Sequence, residues 1–264
     1  MEYIQSKDNR TLKRMISLGQ RKYRQKYNEY MVEGVRTIRD LAERRQLKAM
    51  CIKESQLNND AIQDLIKSPT TEHIRRYLVC DALFEKLENS VQGQGVVGIA
   101  EKSNYDIDNF RGEPGLYVLL DGVQNPGNLG TIIRTAVAAG AKALFLTKGT
   151  VDPYNDKTVR SAMNSMNESA IYERLEDDDV SYLLEASGVT SYVTTLDEAV
   201  DYNEVQYEKA TLLVMGNEGN GVTESIQNKC NQPIKIPVYG NIESLNVSIA
   251  TALCLYKVRE SWNK

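Results

Sequence analysis

What this sequence lacks narrows its identity before any motif is read. The 264 residues contain one histidine and four cysteines, and Cys51, Cys80, Cys230 and Cys254 are scattered with no CxxC pair. A Cys/His zinc site is therefore not expected, nor any other metal centre. His73 lies in a polar stretch just before Arg75 and Arg76, without the partners a Ser-His-Asp triad requires, and reads as a solvated histidine. Apolar runs such as residues 116–120 fall far short of the roughly 20 residues a membrane helix needs. The start, MEYIQSKDNR, has no apolar stretch of the kind that marks a secretory signal. Four thiols without a dense framework suit a reducing compartment. Together these absences predict a soluble cytoplasmic protein with no membrane partner. No repeat or low-complexity tract is present, and a composition 41% hydrophobic and 26% charged excludes collagen-like and wholly disordered classes.

Charge is present but unevenly spread. Residues 1–50 carry 13 Lys/Arg against 6 Asp/Glu, whereas residues 51–264 carry 19 against 30. A basic leading segment on an acidic chain points to a local anionic partner rather than to a generally adhesive surface. Its densest run is Arg21-Lys22-Tyr23-Arg24-Gln25-Lys26-Tyr27. Cations interleaved with aromatics suit nucleic acid, where phosphates meet charge and unpaired bases stack on rings. A solvated helix face with its tyrosines packed inward is the competing reading.

Periodicity predicts helices over 8–28 and 31–45, the second on apolar positions Val32, Val35, Ile38, Leu41 and Ala42. Strands at 49–52, 77–79 and 96–100 and helices at 61–66 and 81–88 complete a compact α/β module over residues 1–100. Residues 101–115, rich in Asn, Asp, Pro and Gly, read as a linker. Residues 116–264 alternate more clearly: strands at 116–120, 143–146, 189–194, 211–215 and 234–237, with helices at 130–139, 156–166, 179–186, 222–228 and 245–261. Short apolar strands alternating with helices predict a parallel sheet covered on both faces. Such sheets bind ligands beyond the carboxyl ends of their strands.

Three turns there carry the candidate chemistry. In LLDGVQNPGNLGTIIRTA (119–136) a tight Asn-Pro-Gly turn precedes a helix, placing Asn128 to cap it and Arg134 one to two turns in. A capping Asn128 and a surface Arg134 would be the plain alternative. In TLLVMGNEGNGV (211–222) the glycines follow a GxxGxG spacing, which is neither the GxGxxG dinucleotide fingerprint nor a phosphate-binding P-loop. Glu218 at its centre would repel a polyphosphate, so the loop suits a cationic or neutral ligand. In IKIPVYGNIESLNVSIATALCLYKVRE (234–260), Ser244 stands where a helix N-cap belongs, and Asn246 is a lone amide in the first turn. The helix that follows is apolar on nearly all sides, which predicts burial in a core or at a subunit interface.

The three segments, in this order and spacing, closely resemble the SPOUT superfamily of RNA methyltransferases, in its TrmH-like 2′-O-ribose branch. NPGNLGTIIRTA, LVMGNEGNGV and IPVYGNIESLNVSIATALCLY are similar to its first, second and third motifs. NRTLKRMISLGQRKYRQKYNEYMVEGVR, with its basic run and Val32-Glu33-Gly34 turn, resembles the substrate-binding domain of the ribosomal-RNA members. The resemblance implies an α/β fold: a C-terminal parallel-sheet domain with a trefoil knot, an exception to the usual absence of knots. It implies a smaller N-terminal ribosomal-protein-like RNA-binding domain before it, and a homodimer formed through the knotted domains. It also implies S-adenosylmethionine as cofactor, held by Gly216, Ile236 and Leu245 with Thr194 and Thr195. Substrate-side residues carry over to Arg134, Asn128, Glu218, Ser244 and Asn246, and RNA contacts are expected from Arg21, Lys22, Arg24 and Lys26. Arg134 corresponds to the residue cast as a base in the family; since guanidinium stays protonated, gripping phosphate and stabilising the developing alkoxide is the better expectation.

The expected activity is methyl transfer to a ribose 2′-hydroxyl in structured RNA, with 23S ribosomal RNA favoured by the leading domain. The alternatives are a transfer-RNA 2′-O-methyltransferase, whose branch usually lacks that domain, and a non-catalytic RNA-binding protein on the same fold. A nicotinamide-dependent oxidoreductase is disfavoured by the glycine spacing, and base N-methylation by the absence of an Asn/Asp-Pro-Pro-aromatic motif.

Overall fold

The computed structural model describes residues 1–88, 93–195 and 198–263. They fall into two compact units, Met1–Lys102 with Tyr154–Asn164, and Ser103–Pro153 with residues from Ser165 onward. In chain order the first contains β1 (Glu2–Ile4), α1 (Arg10–Ser17), α2 (Arg21–Tyr27), β2 (Glu29–Glu33) and α3 (Val35–Glu43). There follow β3 (Leu47–Lys53), α4 (Asp60–Lys67), β4 (Arg75–Val79), α5 (Asp81–Phe84) and β5 (Val96–Glu101). The sheet order is β1-β4-β3-β5-β2, with β5 antiparallel to both its neighbours. Its core gathers Ile4, Leu12, Met15, Cys51, Val79 and Phe84.

Two expectations need correction here. The helix read over 8–28 is two helices: Asn9 caps α1 by accepting the amides of Thr11 and Leu12, and the chain turns at Gly19-Gln20 before α2. The helix read over 31–45 begins only at Val35, because 29–33 is the strand β2, paired along its length with β5. Asn28 in the left-handed region (φ 54°) and Gly34 (φ 94°) bracket that strand. Val32 therefore belongs to the sheet, while Ile38, Leu41 and Ala42 form the buried helix stripe. Glu29, buried in β2, accepts Arg14 Nε and Nη2 at 2.9 and 2.6 Å, with Lys48 Nζ at 3.4 Å. A buried carboxylate is tolerated only when so paired.

The second half continues with β6 (Gly115–Leu120), α6 (Pro126–Ala138), β7 (Ala141–Thr147), α7 (Asp156–Ala162), β8 (Ala170–Leu175) and α8 (Asp177–Glu185). Then come β9 (Thr190–Thr194), β10 (Val200–Asp201), β11 (Ala210–Met215), α9 (Glu224–Gln227), β12 (Gln232–Lys235) and α10 (Val247–Trp262). Helix α7 groups with the first unit; the other elements make the second. The seven strands, in order β10-β12-β9-β11-β6-β7-β8, are all parallel, as the alternating pattern predicts. Residues 116–120 and 211–215 are buried throughout, the mark of strands covered on both faces. The edge strand β8 is unforeseen, because Tyr172, Glu173 and Arg174 interrupt any apolar run. Phe110, in the segment read as a linker, packs edge-on against Tyr117 and Phe145, with centroids 5.2 and 4.8 Å away.

All four cysteines are free, and burial pushes the Cys51 and Cys254 thiols up to about 12, leaving them unreactive. His73 is exposed in the turn before β4. No helix among the described residues is long and apolar enough to cross a membrane.

Candidate active site

The carboxyl ends of β9, β11 and β12, neighbours or near neighbours in the sheet, open onto a cavity of about 390 Å³ in the second unit. Thr194 ends β9 and Thr195 follows it, Gly216 follows β11, Ile236 follows β12 and Leu245 precedes α10; all five line the cavity, together with Glu218 and Ser244. Val247 and Ala250, from the first turn of α10, add an apolar wall. Ligands of parallel sheets lodge in such a crevice.

The loop after β11 is shaped by Asn217, which the sequence reading passed over. Its Oδ1 accepts the amides of Gly219 at 2.9 Å and Asn220 at 3.1 Å, while its main chain exchanges hydrogen bonds with Gly221. Its Nδ2 donates to the carbonyl of Gly122 at 2.7 Å. An asparagine opening a glycine-rich turn is the available signal, since its short amide can bond the backbone two residues on.

Glu218 joins this loop to the first motif. Its Oε1 accepts Asn128 Nδ2 at 2.9 Å and the Asn125 amide at 3.2 Å, and its Oε2 accepts the Gln124 amide at 3.3 Å. Asn128 Oδ1 in turn accepts Asn246 Nδ2 at 3.1 Å. Asn246 Oδ1 accepts the Ser248 amide at 2.9 Å and its hydroxyl at 2.6 Å. A continuous chain of side chains therefore ties all three motif loops together. Partial burial pushes the Glu218 pKa up, but the hydrogen bonds from Asn128, Gln124 and Asn125 outweigh it and hold the carboxyl below its ordinary value. A depressed folded-state pKa means the clamp stabilises the fold at pH above the unfolded-state value and is lost as pH falls through the folded-state one.

Several expected placements differ. Asn125, not Asn128, caps α6, accepting the amides of Gly127 at 2.8 Å and Asn128 at 3.3 Å, with Pro126 at the first helical position. Asn128 thereby keeps its side chain for Glu218 and Asn246. Asn246, not Ser244, caps α10, and it is exposed rather than buried, its partners supplied by the other loops. Arg134, the ninth residue of α6, is exposed and makes no hydrogen bond or ion pair among the described residues; it does not line the cavity.

The basic run lies in the first unit, on α2. Lys22 Nζ sits 4.8 Å over the Tyr23 ring and Lys26 Nζ 5.4 Å over Tyr27, and the two rings stack at 6.2 Å. Arg24 corrects the sequence reading. It is 5% exposed and donates Nη1 to the Leu18 carbonyl at 2.7 Å, so it faces the core and not a phosphate. Among the described residues no group of three or more His, Cys, Asp or Glu could hold a metal ion.

Residues 115–256 match the SpoU rRNA Methylase family, and residues 9–98 match the MRM3-like substrate binding domain. Over 259 residues the chain is 32% identical to the 23S rRNA (guanosine(2553)-2'-O)-methyltransferase RlmP of Bacillus subtilis (strain 168), spanning 98% of this chain and 100% of that one. It is 29% identical to the 23S rRNA (uridine(2479)-2'-O)-methyltransferase of Streptomyces viridochromogenes, over 96% of this chain and 90% of that one. Among solved structures it is similar to the AdoMet-bound rRNA methyltransferase from Sinorhizobium meliloti, with a TM-score of 0.87 and 30% identity over 98% and 97% of the two chains.

Proposed function

Since the chain belongs to the SpoU rRNA Methylase family, we propose that it transfers a methyl group from S-adenosylmethionine to a ribose 2′-hydroxyl of structured RNA, its substrate being 23S ribosomal RNA. The observation that carries this reading is the cavity at the strand ends, walled by the second and third motif segments and tied to the first through the hydrogen bonds of Asn128 to Glu218 and Asn246. Full-length similarity to a 23S rRNA enzyme, together with a substrate-binding domain over 9–98, favours ribosomal over transfer RNA. The two curated relatives act on different nucleotides, so the decisive experiment maps 2′-O-methylation across 23S rRNA from cells with and without this chain. One position lost in its absence is expected; an unchanged 23S map would overturn the reading.

The cavity fits the cofactor by size and chemistry. About 390 Å³ lies in the range for ligands of this size. Ile236, Leu245 and Val247 offer apolar surface to a purine, and the carboxylates of Glu218 and Glu243 suit a cationic ligand. Thr194, Thr195, Gly216, Ile236 and Leu245 are the residues that would hold it. When bound, S-adenosylmethionine supplies a methyl group already activated by its sulfonium. What the chain must add is alignment of a weak neutral nucleophile and stabilisation of the charge that develops as its proton leaves. Arg134, permanently cationic and without a polar partner among the described residues, is the catalytic residue for that charge. Asn128 and Asn246 commit their polar atoms to Glu218, to each other and to Ser248, so they act by positioning the loops. Ser244, at the cavity wall, is placed to orient the ribose.

The RNA-binding domain is assigned to residues 1–100 and methyl transfer to 116–264, acting in the cytoplasm. Lys22 and Lys26, the outward cations of α2, contact phosphate, with Arg21 beside them. Replacing Lys22 and Lys26 by alanine is expected to weaken RNA binding and to lower its salt slope by about one for each phosphate no longer neutralised. An unchanged slope would return them to ordinary solvated surface.

The functional form is a homodimer through the second unit, whose C-terminal segment is threaded as a trefoil knot. Supporting the dimer is an apolar stripe on α10: Ile249, Leu253 and Tyr256 are 52, 39 and 55% exposed on a helix whose opposite side is core. Matched copies of such a stripe bury each other about a two-fold axis. Leu253→Asp is expected to shift the protein from dimer to monomer in analytical ultracentrifugation; a chain that sediments as a monomer before substitution would sink the dimer.

A further inference from the structure

We propose that Asp121 is a positioning residue for the cofactor cavity, acting through Thr223 to fix the far end of the loop that follows β11. The proposal rests on the assignment of that cavity to S-adenosylmethionine. Asp121 immediately follows β6, and its amide donates to the Met215 carbonyl at 2.9 Å, extending the β6–β11 pairing by one hydrogen bond. Its carboxylate then reaches across the loop. Oδ2 accepts both the amide of Thr223, at 2.8 Å, and the Thr223 hydroxyl, while Oδ1 accepts the Thr147 hydroxyl at 3.1 Å.

The Thr223 hydroxyl is the telling group. Thr223 is the N-cap residue of α9, where a threonine oxygen ordinarily accepts an amide of its own helix. No such bond is made, and the hydroxyl is turned to Asp121 instead. Gly221 and Val222, immediately before it, line the cavity. The opposite end of the loop is already fixed by the sheet at Met215, so Asp121 supplies the second fixed point. The neighbouring Gly122 is held in the same way: its amide donates to Thr147 and Thr150 hydroxyls at 3.0 and 3.2 Å, and its carbonyl accepts Asn217. One dipeptide thus grips the loop at its start and at its end.

Asp121→Asn keeps the size of the side chain but removes the charge and sets an amino group against donors. In a charge-assisted pair this is expected to raise the Kd for S-adenosylmethionine about tenfold, with kcat at saturating cofactor within about twofold. Thr223→Val is expected to do the same, and Thr223→Ser, which retains hydroxyl and amide, to bind as the unaltered chain does. The double variant Asp121→Asn with Thr223→Val should be no worse than either alone. Calorimetry with S-adenosylmethionine on the full chain reads this directly, and Thr223→Val stands in where Asp121→Asn does not fold. An unchanged Kd in these variants, or a fall in kcat with no change in Kd, would overturn the role of Asp121. Failure of the unaltered chain to bind S-adenosylmethionine would instead overturn the cofactor assignment.

Discussion

Replacing Arg134 by alanine is expected to slow single-turnover methyl transfer by about a hundredfold or more, the loss typical of removing one donor from a developing oxyanion. Affinity for S-adenosylmethionine and thermal stability should remain those of the unaltered chain. The first half of this expectation rests on the chemistry of the guanidinium, the second on where the residue sits. Arg134 is exposed on α6 and, among the described residues, makes no bond that its removal would break, so the fold should change by no more than about 0.5 kcal/mol. The ribose hydroxyl, in contrast, has no other permanently charged donor among the residues assigned to the site. The guanidinium fork can hold a phosphate oxygen and the emerging alkoxide together, so Arg134→Lys, keeping charge without the fork, should fall between the two. Near-normal single-turnover rates for Arg134→Ala would remove it from the mechanism.

A single methyl group at position 216 is expected to be nearly as damaging, by a different route. A Cβ built on Gly216 would stand 2.1 Å from the carbonyl carbon of Gly221, 2.2 Å from the amide nitrogen of Val222 and 2.4 Å from the Gly221 oxygen. All three are main-chain atoms of the same loop and cannot rotate aside, so the loop must open. Since Gly216, Gly221 and Val222 all line the cavity, Gly216→Ala should weaken S-adenosylmethionine binding by about a hundredfold or more, together with a loss of about 1–3 kcal/mol in stability. Gly219 provides the contrast, because its nearest neighbour would be Asn217 Oδ1 at 3.6 Å, an ordinary contact. Retention of cofactor affinity by Gly216→Ala, measured by calorimetry, would mean that the loop is not the cofactor's wall.

The sequence discloses some of this arrangement and conceals the rest for identifiable reasons. The parallel sheet is readable because strands such as 116–120 are apolar without interruption and are bounded by Gly-rich turns. The second-unit strands β8 and β10 are not, since edge strands need only half of that burial and β10 has two residues. In the first unit β2 escapes because its partner, β5, lies about 70 residues further on, and a local period of 3–4 can be drawn through Val32 by coincidence. The five residues expected to hold the cofactor are reached through the resemblance; their meeting at one cavity follows from the strand order, which places β9, β11 and β12 side by side although β10 intervenes in the chain. Capping is misplaced twice, by three residues at α6 and by two at α10. At both sites two or more side chains could cap, and only tertiary partners decide which one is free to do so: Asn128 is taken by Glu218, and Asn246 is steered by Asn128.

The acid at position 218 gives that chain of side chains a sense of direction. A carboxylate can only receive hydrogen bonds, so Asn128 has to turn its amino group toward it and is left with an oxygen for Asn246. Asn246 must then give its own amino group, which keeps its oxygen pointed at Ser248 and the head of α10. An acceptor-only carboxylate at one end and the donor-only Ser248 amide at the other thereby agree on how two otherwise reversible amides lie, across segments 90 and 118 residues apart. A glutamine in its place would offer one accepting oxygen where the carboxylate offers two, so the Asn128 amino group and the Gln124 and Asn125 amides could no longer all be received.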